Sequence, residues 1–336
     1  MMPSASLPTT PARAALHMTD CAPNVDTLRD DVLRGLGQPQ KELPPKLLYD
    51  ARGAALFERI TALEEYYLTR TERAILQEHM DEMAALLGER IQLLEYGSGS
   101  SAKTRLLLDA LREPVAYVPI DIAREQLAQT TTALRAAYPQ MDILPVCADY
   151  TRPHALPTPT RPVTRRVAYF PGSTIGNFDP AGAQDFLRHL AALCGPGGAA
   201  LIGVDLPKDP LLLHAAYNDR EGVTAAFNQN VLTRLNRELG ADFQLERFRH
   251  YAPYNPVAQR VEMHLVSCCA QTVRVGDSAF SFCRGESIWT ESSYKYAPAA
   301  FARLAAAAGF TAAQVWMDPD QLFSVQYLVV GSCTHG

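Results

Sequence analysis

From residue 91 the chain alternates short apolar runs with helical stretches, and no other feature narrows its fold so far. "IQLLEY" is followed by a helix from Ser101 and "VAYVPI" by a helix from Ala123; then come "DILPV", "RVAYF", a helix near 181–194, and "GAALIGVDL". Strands separated by helices imply a parallel sheet covered on both faces. Upstream, "VDTLRDDVLRGL", "ARGAALFERITAL" and "TRTERAILQEHMDEMAALL" carry apolar residues three and four apart and read as amphipathic helices. After Pro207 the rhythm stops. A helical stretch over about 209–239 precedes "QLERFRHYAPY", "QRVEMHLVSCCAQTVRV" and "AFSFCRG", whose close alternation predicts an antiparallel meander. "APAAFARLAAAAGF" then restores a helix, and "TAAQVWMD" and "FSVQYLVV" add two strands. The expectation is an α/β, Rossmann-like sheet of seven strands with an inserted α+β substrate-binding unit over 207–296. Residues 26–206 and 297–336 would form the main domain, and residues 1–25, rich in Pro, Ala, Ser and Thr, a disordered tail.

Composition removes several classes of function. A net charge of −5 argues against a general grip on nucleic acid, which needs a basic surface. The longest apolar run, "LAALCGPGGAALIGVDL", is broken by Gly195, Pro196, Gly197 and Gly198 and reads as helix end, turn and strand, so no membrane span is expected. Seven cysteines with no CxxC pair and eight histidines without HExxH spacing give no metal or disulfide framework. Reduced, mostly buried thiols in the cytoplasm are the expectation. The tail lacks the apolar core of a signal peptide. With no long exposed heptad, a monomer is expected.

The exit of the first expected strand, "LLEYGSGSS", holds an acid and two glycines. Glycines let backbone turn sharply beside a ligand, but a two-glycine turn is a weak signal, and the dinucleotide pattern GxGxxG fails after Gly99. Two further acids fall in register with Glu95. Asp121 ends the second strand, where a carboxylate can accept both hydroxyls of a ribose, although Asp there also suits a helix cap. Asp149 follows the third strand, where an adenine edge would lie. An acidic pocket suits the sulfonium and amino group of S-adenosyl-L-methionine better than the pyrophosphate of NAD. Lys103 is the exception; it could pair with the carboxylate of the methionine moiety or simply be solvated.

At the carboxyl end of the fourth strand, "YFPGSTIGNFDP" offers Gly172, Ser173, Thr174, Gly176 and Asn177. Ligands of open α/β sheets bind at that end, and a turn alone needs fewer polar groups.

Together with "YDARGAALFERITALEEYYLTRTE", "EYGSGSSAKTRLLL", "AYNDREGVTAAFNQNVL" and "ESIWTESSYKY", that loop gives the chain a specific likeness. From about residue 40 to 331 it resembles the histidine-specific methyltransferases of ergothioneine biosynthesis, class I enzymes that use adenosylmethionine to trimethylate the α-amine of L-histidine to hercynine. The resemblance implies that Asn177 and Tyr217 bond the substrate carboxylate and that Gly172 and Thr174 lie near the α-amine. It implies that Glu291 and Ser293 read the imidazole, with Tyr66 on its other side. It gives the cofactor Tyr49, Gly97, Lys103, Asp121, Asp149 and Tyr150. Tyr66, Gly172, Thr174 and Asn177 would make up the catalytic set.

The chemistry agrees with this likeness. In-line methyl transfer needs a neutral amine held close to the methyl, so positioning should supply most of the catalysis. With an α-amine pKa of about 8, a strong base is optional. A neutral imidazole has one donor and one acceptor, which Glu291 and Ser293 can match. The alternatives are the same reaction on tyrosine or tryptophan, a protein or nucleic-acid methyltransferase, an NAD-dependent dehydrogenase, and a non-catalytic adenosylmethionine binder. The first would want an apolar residue at 291.

Overall fold

The structure, a computed structural model, describes residues 18–21, 25–99, 102–152 and 154–331. Along the chain run β1 (Thr19–Cys21), α1 (Val25–Leu36), β2 (Lys41–Glu42), a 3-10 turn at Pro45–Leu48, α2 (Ala51–Thr61) and α3 (Tyr67–Leu87). The alternating region gives β3 (Gln92–Tyr96), α4 (Ala102–Ala110), β4 (Ala116–Asp121), α5 (Arg124–Ala137), β5 (Asp142–Ile143), β6 (Val146–Ala148), β7 (Arg166–Phe170), α6 (Pro180–Cys194) and β8 (Ala199–Asp205). Next come α7 (Pro210–Tyr217), α8 (Val223–Leu239), β9 (Phe248–Tyr251), β10 (Tyr254–Asn255), β11 (Arg260–Ser267), β12 (Gln271–Val275), β13 (Ser278–Phe282) and β14 (Ser287–Tyr294). The chain closes with α9 (Pro298–Ala306), β15 (Phe310–Met317) and β16 (Phe323–Val330).

Seven strands lie in the order β6-β4-β3-β7-β8-β16-β15, parallel except that β16 runs against both β8 and β15. Successive residues of each central strand feed opposite layers. Leu93, Tyr117, Tyr169 and Leu201 join one buried cluster. Their neighbours Leu94, Val118, Phe170 and Ile202 join the other. This is the period of two expected of a sheet buried on both faces.

The single strand expected at "DILPV" is split into β5 and β6, and β1 is added, so the sheet has nine strands among the described residues. β5 pairs with β4, and β1 lies parallel to β6 on the sheet edge. β1 falls inside the stretch expected to be a disordered tail; the rest of that tail, apart from Met18 and Val25, lies outside the described residues. "TDC" has no apolar pattern to announce a strand, and backbone pairing to the open edge of β6 orders it instead.

Beyond β8 the single helical stretch expected over 209–239 is two helices. Asp219 breaks it: its carboxylate accepts the backbone N–H groups of Val223 and Thr224, both at 2.8 Å, and Gly222 takes a left-handed φ of 70°. The meander forms a second sheet, β10-β11-β14-β2, with β9 also on β11, and a separate β12–β13 hairpin. β2 comes from the stretch between α1 and α2 and pairs parallel with β14. The chain leaves and returns at one place, where the Tyr296 N–H donates to the Asp205 carbonyl at 3.0 Å.

Candidate active site

β7 delivers Pro171–Asn177 to the carboxyl edge of the first sheet, and three contacts fix this loop. Ser173 takes a left-handed φ of 58°, and its hydroxyl accepts the Asp205 N–H at 2.9 Å. The Thr174 hydroxyl donates to the Pro171 carbonyl at 2.9 Å. Gly176 presses on β14 so closely that a β-carbon there would stand 2.7 Å from the Tyr294 carbonyl oxygen. Only glycine allows that approach, and it carries Asn177 to the second sheet.

There the Asn177 side-chain amide donates to Glu291 at 3.1 Å, and the Tyr217 hydroxyl donates to Ser293 at 2.7 Å. Each residue expected at the substrate carboxylate is thus bonded to one expected at its ring. Tyr49, Tyr66, Gly172, Thr174, Asn177, Tyr217, Glu291 and Ser293 line one pocket with about 490 Å³ of empty space, part of it open solvent. Phe57, Ile60, Phe227 and Met263 supply its apolar walls.

Glu291 and Ser293 reach this pocket through a bulge. Met263 and His264 on β11 face Glu291 and Trp289 on β14, so Thr290 is an extra residue. Ile288 is buried, Trp289 is not, Thr290 and Glu291 are both buried, and the alternation then resumes in the opposite phase. The Thr290 hydroxyl anchors the bulge on the Asn228 side-chain oxygen at 2.7 Å. Bulges re-aim side chains in this way beside functional sites.

Burial pushes the Glu291 carboxyl up to about 7, against the pull of Lys295, Tyr49 and Asn177. Tyr49, expected at the cofactor, therefore stands with Glu291, to which its hydroxyl is hydrogen-bonded. It closes the 3-10 turn at Pro45–Leu48 and packs edge-on against Phe57 and Phe227, which turn it toward the pocket. Tyr66, just before α3, packs edge-on against Tyr217.

The residues expected at the cofactor lie along the adjoining strand ends. Gly97 has a φ of 72°, and among the described residues no atom beyond its own chain neighbours lies within 4 Å of where its β-carbon would be, which leaves room for a ligand beside the turn. Asp121 accepts the Gly99 N–H at 3.1 Å and the Ala123 N–H at 2.9 Å, and burial raises its pKa. It therefore shapes the glycine turn besides ending β4. Asp149 is buried; despite that, its bonds from Lys46 and Thr151 hold its pKa below the ordinary range. Tyr150 packs edge-on against Tyr96, Phe170 and Phe178. An open glycine turn, an acid at the end of β4 and an aromatic wall fit a nucleoside, so the residues present suit adenosylmethionine. Glu95 departs from the row of three acids. It faces the interior, accepts from Thr104 at 2.7 and 2.8 Å and from Tyr117, and burial raises it to about 8.

Cofactor side and pocket meet at Gly172. Its N–H donates to both oxygens of Glu72 at 3.0 Å, and Lys103 pairs with the same carboxylate. Sequence reasoning missed Glu72, yet a signal existed: it shares a helix face with Leu68, Ile75 and Leu76, an acid among core positions. Lys295 and Asp205, a buried ion pair at 2.7 Å behind Ser293, were missed too. Lys295 continues the two-residue step from Glu291 and Ser293, but the bulge hides that phase from the sequence.

A sequence model of the family described as "Histidine-specific methyltransferase, SAM-dependent" matches residues 28–330. The chain is 44% identical over 309 residues to a histidine N-alpha-methyltransferase of Mycolicibacterium smegmatis, covering 90% of this chain and 95% of that one. It is 44% identical to a histidine N-alpha-methyltransferase of Mycobacterium tuberculosis, covering 87% and 91%. It is 33% identical to ergothioneine biosynthesis protein 1 of Neurospora crassa, covering 82% of this chain and 32% of that longer one.

Proposed function

Since the chain belongs to the histidine-specific, SAM-dependent methyltransferase family, we propose that it trimethylates the α-amine of L-histidine to hercynine in ergothioneine biosynthesis. Adenosylmethionine, when bound, supplies an electrophilic methyl group on a sulfonium. The chain's own residues hold the amino acid still. Asn177 and Tyr217 take its carboxylate, Glu291 and Ser293 its imidazole, and the backbone and hydroxyl of Gly172–Thr174 flank the amine. No histidine base is needed there, because part of an amine with a pKa of about 8 is already neutral near pH 7. Gly97, Asp121, Asp149 and Tyr150 would hold the nucleoside, and Lys103 the methionine carboxylate.

One observation carries this reading: Asn177 and Tyr217 are each hydrogen-bonded to a ring-reading partner on one strand. The carboxylate and ring subsites are therefore adjacent, as a single amino acid requires. Two residues on one strand face are about 6.6 Å apart, close to the span of a five-membered ring bonded on both sides. Tyrosine and tryptophan fit less well, since neither ring offers both an N–H donor and a ring-nitrogen acceptor.

Among the described residues no helix is long and apolar enough to cross a membrane. The further reading is a monomer acting in the cytoplasm on a free amino acid, without nucleic acid. Incubation with adenosylmethionine and a panel of amino acids, followed by mass spectrometry, tests the assignment. Gains of one, two and three methyl groups on histidine alone are expected; equal turnover of phenylalanine would overturn the imidazole assignment.

A further inference from the structure

Glu72 reaches from α3 to the carboxyl ends of β7 and β8, with its side chain only 1% exposed. β8 makes the space for it. A β-carbon on Gly203 would stand 2.2 Å from a Glu72 carboxylate oxygen and 3.1 Å from the Phe323 ring, so any larger residue at 203 would collide with the carboxylate. Glycine inside a strand marks such close approaches. A buried carboxylate is costly to keep unless it is paired and hydrogen-bonded, and this one is both.

Its two oxygens share the Gly172 N–H, each at 3.0 Å, and one of them pairs with Lys103. The other side of the same peptide is fixed too, since the Pro171 carbonyl accepts the Thr174 hydroxyl at 2.9 Å. Thr174 spends its one hydrogen there, so its oxygen meets the pocket as an acceptor. An acceptor draws the N–H groups of an amine and leaves the nitrogen lone pair free to face a methyl group. Lys103 and Thr174 converge at Gly172. A β-carbon there would lie 3.5 Å from the Lys103 ammonium nitrogen and 3.6 Å from the Thr174 hydroxyl oxygen.

We propose that Glu72 is a positioning residue that sets the seat of the methyl donor against the seat of the amine, by holding Lys103 and the Pro171–Gly172 peptide on one carboxylate. The proposal rests on the reading of Lys103 as the partner of the methionine carboxylate and of Gly172–Thr174 as the loop beside the amine. Each seat can form without the other, but in-line transfer depends on the distance between them. A displacement of about 1 Å costs about a hundredfold in rate. Glu72 therefore acts on the chemical step rather than on either binding step.

The test uses the whole enzyme, with adenosylmethionine and histidine for turnover and adenosylhomocysteine for binding. Glu72→Gln keeps the length and an acceptor but removes the charge; Glu72→Asp keeps the charge and withdraws it by one carbon. Each should lower single-turnover methyl transfer to histidine at least about tenfold. Neither should weaken calorimetric binding of adenosylhomocysteine, or of histidine to the adenosylhomocysteine complex, by more than about threefold. A smaller loss of turnover in either variant overturns the positioning role. So does a larger loss of either affinity, which a residue that merely supports the fold or one binding site would produce. If one variant does not fold, the other decides. Failure of the unaltered enzyme to methylate histidine would instead overturn the proposed function itself, and the same split on whichever amino acid it does methylate would still judge Glu72.

Discussion

Glu291 sets two properties in opposition. Its folded pKa of about 7 lies above the ordinary 4.5. Below the ordinary value both folded and unfolded chains hold the proton, and the protein keeps its full stability. As pH rises toward 7 only the unfolded chain releases it, so stability is lost over that interval. Glu291→Gln should therefore raise the thermal midpoint at pH 8 and leave it nearly unchanged at pH 4.5, as measured by calorimetry without ligand. The same change removes the charged acceptor and should weaken histidine binding roughly ten- to a hundredfold. In the unaltered enzyme kcat/KM for histidine should climb through about pH 7 as the carboxylate forms, and that limb should be missing from the Gln variant's profile. A variant of lower midpoint at pH 8 would show that the carboxyl is better solvated than its burial implies.

The 171–177 loop and β14 act as one unit because Gly176 lets them touch. Gly176→Val would push a branched side chain against the Tyr294 backbone, and backbone cannot step aside as a flexible side chain can. Histidine turnover should fall more than tenfold while adenosylhomocysteine affinity, read by calorimetry, stays within about threefold. A parallel loss of both would mean the loop also shapes the cofactor side. At this scale the sequence was informative wherever periodicity ran unbroken. α1, α2 and α3 and the central strands fall where their apolar spacing predicts. It was silent where local hydrogen bonds reset the pattern: at Asp219, which splits one helix into two, and at Thr290, which shifts the phase of β14. Asn177 could be picked out from its place in the polar loop after the fourth strand, whereas Tyr217, Glu291 and Ser293 were legible only through resemblance to a family, since the bulge that aims the last two has no sequence signature. Lys295 and Glu72 went unread because a buried charge looks the same in sequence as an exposed one.

Across the whole molecule one buried cluster runs from Leu93 and Tyr169 in the first sheet, through Leu56, Tyr67 and Phe227, to Phe248 and Leu265 in the second. We propose that the inserted unit is a domain by function rather than by stability. Heating should give a single calorimetric transition, and a 207–296 fragment, lacking β2 and α2, should not fold alone; two resolved transitions would contradict this. The second sheet draws β2 from one end of the chain and β14 from near the other, with Gln40 bonded to Ser287 across 247 positions. Asp50 and Asn230, which tie α2 to α8, are 180 positions apart. During synthesis the early partners must wait, unpaired, until β14 leaves the ribosome. Contacts of such long range slow folding and prolong the exposure of apolar surface. The amino-acid pocket is accordingly among the last parts of the molecule to assemble, and a nascent chain halted before Glu291 has no ring reader to offer.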